Sequence, residues 1–92
     1  MQFLKIEWIH DITDEPYIIF AELDDVGYEN RKIEIYKNGR VGYATQSSEF
    51  GGSTLSEYSY PAFEEIASNS EFIPVEISKE EFEGIWNENV EV

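Results

Sequence analysis

The chain contains no cysteine and one histidine, His10. Without cysteine there is no disulfide framework and no thiolate metal site, and a lone imidazole leaves little scope for a transition-metal centre. Cations are scarce too: 6 Lys and Arg stand against 20 Asp and Glu, a formal net charge of −14. A field of that sign repels phosphate backbones and anionic lipid and draws in basic surfaces, so neither nucleic acid nor membrane is an expected partner, and no cofactor is expected. No stretch approaches the roughly 18 consecutive apolar residues of a membrane helix. The opening Met1-Gln2-Phe3-Leu4-Lys5 lacks the basic and apolar regions of a signal peptide, so the expected compartment is the cytoplasm.

What the chain does have is enough apolar material for one core. Its 92 residues are 41% hydrophobic and include six Phe, six Tyr and two Trp, which suits a single domain over 1–92. Leu4, Ile6 and Trp8 alternate with Lys5 and Glu7, the period of a strand. Asp11 to Pro16 is a turn in which short acids bond their own backbone. Tyr17 to Leu23, apolar on both faces apart from Glu22, predicts a central strand.

After the turn Asp24-Asp25-Val26-Gly27, a third strand over Tyr28 to Lys37 is expected to point Ile33 and Ile35 inward and Lys32 and Glu34 outward. Asn38-Gly39 predicts a type I′ hairpin into Val41-Gly42-Tyr43-Ala44. Gln46 to Tyr60, rich in Ser and Gly, predicts an irregular connection with room for a short extra strand. Pro61 is placed to open a helix in which Phe63, Ile66 and Ala67 share a face. Pro74 confines Phe72 to Ile77 to an edge strand or covering segment. Ser78 with Glu81 forms a capping-box pattern for a last helix that buries Phe82, Ile85 and Trp86. The expected fold is α+β, an antiparallel meander sheet of about four to five strands with two short helices in the C-terminal half.

Three patterns bear on chemistry. His10-Asp11 with Asp14-Glu15 suits a hard cation or acid–base work, but the spacing matches no calcium loop and reads more simply as a turn. Gly51-Gly52-Ser53-Thr54 lacks the lysine and following helix of a phosphate cradle and predicts a flexible turn. Tyr28, Tyr36, Tyr43, Tyr58 and Tyr60 are secondary interface candidates. With one histidine, no nucleophile and base can be paired, and the chain is not expected to be an enzyme.

The acidic excess is uneven. Met1 to Ser48 carries 9 acids and 5 bases; Glu49 to Val92 carries 11 acids and only Lys79. Glu64, Glu65, Glu71, Glu76, Glu80, Glu83 and Glu88 are the candidate partner-binding residues, expected to form one continuous docking surface. Dipole stabilisation at helix starts accounts for Glu64, Glu65 and Glu80 in part.

The segments Lys5 to Asp11, Asp14-Glu15-Pro16, Arg31 to Tyr36, Asn38 to Tyr43 and Ile77 to Trp86 together resemble a small uncharacterised bacterial domain family, over most of the chain. Such domains are similar in kind to the immunity proteins that bacteria encode beside secreted toxins. The likeness implies a protein that binds and neutralises a cognate toxin, such as a basic nuclease, through its carboxylates. Two alternatives stay open: a nucleic-acid mimic that occupies a DNA-binding protein, and a small enzyme or ligand binder using His10, Asp11 and Glu15.

Overall fold

A computed structural model describes residues 1–90. Its first strand, β1 (Gln2–Trp8), buries side chains on both faces: Leu4 and Ile6 on one, Phe3 on the other. β2 (Ile18–Leu23) lies between β1 and β3 (Glu29–Ile35), the central place expected of a strand apolar on both sides. β4 (Val41–Thr45) and the two-residue β5 (Glu49–Phe50) continue the meander. A short helix α1 (Phe63–Ser68) follows, then β6 (Phe72–Glu76) and α2 (Lys79–Asn89).

The sheet has six strands, more than the four to five expected, in the order β5-β4-β3-β2-β1-β6. The additional strands are β5, seated in the Ser/Gly-rich segment, and β6, which leaves the meander and pairs antiparallel with β1 at the far edge. Two residues of β5 are too short a run to show any alternation.

The Asn38-Gly39 turn also differs from expectation. Gly39 has φ +86° while Asn38 stays at negative φ, so the two left-handed residues of a type I′ turn are not there. The Gly39 amide donates to Tyr36 and the Tyr36 amide to Arg40, giving a three-residue loop whose last position needs the left-handed glycine. Gly27, at φ +91°, closes Asp24 to Tyr28 in the same way. The Asn38 side chain accepts the Arg40 amide and Asp24 accepts those of Val26 and Tyr28.

Because alternate side chains leave a strand on opposite faces, the sheet carries two separate apolar clusters. Leu4, Ile6, Ala21 and Leu23 meet Ile66 of α1; Phe3, Phe20 and Ile33 meet Phe82 of α2. The helices thus lie on opposite faces of the sheet. α2 starts where the Ser78 hydroxyl accepts the Glu81 amide at 3.0 Å.

The β6 edge is poorly suited to pairing with another strand. Ile77 and Ile9 donate amide bonds between β6 and β1 at either end of their pairing, so the amides at 72, 74 and 76 point away from β1. Phe72 donates its amide to Asn69 and Pro74 has none, which leaves that edge with few free donors.

Candidate functional site

On the α1 side a cavity of about 290 Å³ opens between helix and sheet. Ile6 and Ile19, paired across β1 and β2, lie beneath it; Ile66, Pro61, Tyr60 and Phe72 enclose it, and Glu65 and Asn69 bring the polar atoms. Neither lysine nor arginine lines it.

Beside this cavity lies a cluster that alternation alone did not reveal. Lys32 and Glu34, expected to face outward into water, instead lie on the α1 face with side chains 12% and 14% exposed. The segment after β5 covers them. Tyr60 donates its hydroxyl to Glu29, Ser56 donates its amide to the same carboxylate, and Ser53 donates to Glu34 at 2.6 Å. Lys32 stands 3.2 Å from Glu29. Burial, and then the neighbouring Glu29 charge, push the Tyr60 phenol well above its ordinary value.

The Gly51-Gly52-Ser53 stretch is a turn, closed by the Ser53 amide donating to the Phe50 carbonyl, and it seats Ser53 in a buried position. A Cβ at Gly42 would stand 2.3 Å from the Ser53 hydroxyl, so the missing side chain at 42 is what lets Ser53 reach Glu34.

On the α2 side Arg31 fastens helix to sheet. Its guanidinium donates two bonds to Glu22, at 2.9 and 2.8 Å, and two to Glu83, at 3.1 and 2.7 Å. It also lies 4.9 Å from the ring centres of Phe82 and Trp86, a cation–π arrangement of the kind arginine favours. The bonds to Glu22 and Glu83 raise the Arg31 pKa, and the Arg31 bond holds the Glu83 carboxyl below the ordinary value.

The seven candidate carboxylates are divided between the two helices, on opposite faces of the sheet, and the chain around the β6 edge. Glu64 and Glu65 are exposed in the first turn of α1. Glu76 is exposed on β6, where its pairing with Leu4 places it on the α1 face. Glu71 is exposed in the turn before β6, and Glu80 and Glu88 on α2 across the sheet. Glu83 is half-buried and committed to Arg31. Among the described residues the other six have no ion-pair partner. Of the five secondary tyrosines, Tyr28 and Tyr58 are exposed, while Tyr36 is buried and Tyr43 stacks on Phe50.

His10 is held inside its turn. Nδ1 accepts the Ile12 amide at 2.9 Å, which puts the ring proton on Nε2, 2.8 Å from the Pro16 carbonyl that accepts it. Asp14 takes φ +70° in the same turn, a conformation a short acid tolerates better than most residues. Among the described residues no three His, Asp or Glu side chains gather as a metal site requires, and no helix is long and apolar enough to cross a membrane.

Sequence reasoning missed the cavity and the Glu29–Lys32–Glu34 cluster. Two charges on the third strand facing a Ser/Tyr-rich segment were the available signal. No curated protein and no solved structure matches the chain. A family model described as a domain of unknown function (DUF6881) matches residues 2–91, and the chain belongs to that family.

Proposed function

We propose that the protein is an acidic protein-binding module of the immunity type, which docks on a basic partner such as a toxin nuclease and blocks it. The observation that supports this most is the state of the second half's carboxylates. Glu64, Glu65, Glu71, Glu76, Glu80 and Glu88 are exposed and without an ion pair among the described residues. Like charges left uncompensated cost a small domain some stability. A basic surface meeting them gains both steering and complementarity.

The division between faces makes the test specific. Partners are captured from lysate at low and high salt, and the protein that binds tightly is purified. Association is then timed with Glu64→Lys/Glu65→Lys and with Glu80→Lys/Glu88→Lys. The pair on the docking face is expected to slow association about tenfold and to flatten its salt dependence; unchanged rates for both pairs would refute the proposal. Competition by duplex DNA for several captured proteins would point instead to a nucleic-acid mimic.

A further inference from the structure

The geometry points to the cavity beneath α1 as a socket for one apolar side chain of the partner, flanked on that partner by lysine or arginine. This inference rests on the basic-partner reading above and names the place and chemistry of the contact. At about 290 Å³ the socket falls at the small end of ligand pockets and suits a single inserted side chain.

Its walls decide what enters. Ile6, Ile19, Ile66, Pro61, Phe72 and the Tyr60 ring present carbon, and the Tyr60 hydroxyl is already given to Glu29. The Asn69 side-chain oxygen accepts the Glu71 amide at 2.9 Å. That leaves Glu65, exposed and without an ion pair among the described residues, as the charge at this site. An uncharged apolar occupant would crowd this carboxylate and return nothing for its lost water, and an anionic one would be repelled. An apolar group with a cation beside it satisfies both walls and carboxylate.

The occupant is part of a protein, because the negative charge runs on past the socket. Glu64 is exposed on the same helix and Glu76 on the same face of the sheet, outside the residues that line the cavity. The strand-borne lysine on that face, Lys32, is occupied with Glu29 and Glu34. An apolar anchor in a pocket with a charged rim is the arrangement that concentrates binding energy at interfaces.

The test uses the full chain, isotope-labelled at isoleucine methyls, and two synthetic peptides: acetyl-Lys-Lys-Phe-Lys-Lys-amide and its alanine-centred counterpart. The Phe peptide is expected to shift the Ile19 and Ile66 methyl signals saturably and to bind at least about tenfold more tightly than the Ala peptide. Glu65→Lys, at an exposed position, should weaken Phe-peptide binding up to about fivefold with the methyl spectrum of the free protein intact. Equal, salt-sensitive binding of both peptides without methyl shifts would overturn the socket while leaving the basic-partner reading in place. Absence of binding by both at low salt would remove the socket and count against that reading as well.

Discussion

Tyr60 ties the post-β5 segment to the sheet by one hydroxyl, so its loss has a defined cost. Tyr60→Phe leaves a buried Glu29 oxygen short of a donor and should destabilise the fold by about 1–3 kcal/mol in urea unfolding. It also changes the alkaline limit. Burial raises the folded-state phenol above its ordinary value of 10.0, so the native state disfavours losing that proton. Stability from this group is full below pH 10 and declines as pH climbs beyond it; stability measured between pH 9 and 11 should fall less steeply in the Phe variant. Glu83 acts in the opposite sense. Its bond to Arg31 holds the folded pKa below the ordinary carboxylate value of 4.5, so the Arg31 clasp contributes fully above that pH and weakens as the carboxylate takes up its proton on acidification. Glu83→Gln should reduce stability at neutral pH and narrow the difference from the parent chain towards pH 3. Neither partnership was legible beforehand: alternation assigns Lys32, Glu34 and Arg31 to faces but says nothing of what comes to lie over them.

Among the elements, those with strong local signals formed where the sequence pointed. Ser78 caps α2, β2 is central, and Pro74 lies in an edge strand. What local pattern did not convey was partnership across distance. The segment over Phe72–Glu76 meets β1, some seventy residues earlier in the chain, and nothing in its own composition names that neighbour. The type I′ reading of Asn38-Gly39 failed because a left-handed glycine serves both a two-residue and a three-residue connection. Pro74 offers a direct test of edge protection. Pro74→Ala introduces an outward amide between Ile73 and Val75, residues 46% and 48% exposed. Concentration-dependent self-association of that variant, seen by light scattering and not in the parent chain, is the expected result.

For the whole molecule the dominant quantity is charge. At a net −14, self-repulsion opposes compaction and is screened by salt. The thermal midpoint should therefore rise by a few degrees, roughly, between 20 mM and 500 mM sodium chloride; a flat or falling midpoint would show that the ion pairs of Arg31 and Lys32 outweigh the repulsion. The excess in the second half was plain from counting, but its placement was not, because α1 and α2 leave the chain close together and settle on opposite sides of the sheet. That arrangement makes the sheet a bulkhead. Ile66 and Phe82 anchor separate compartments, so an alteration to one is only weakly felt in the other. Substitutions that reshape the α1 compartment should thus leave the Arg31-fastened compartment packed, which makes the two faces separable by mutation.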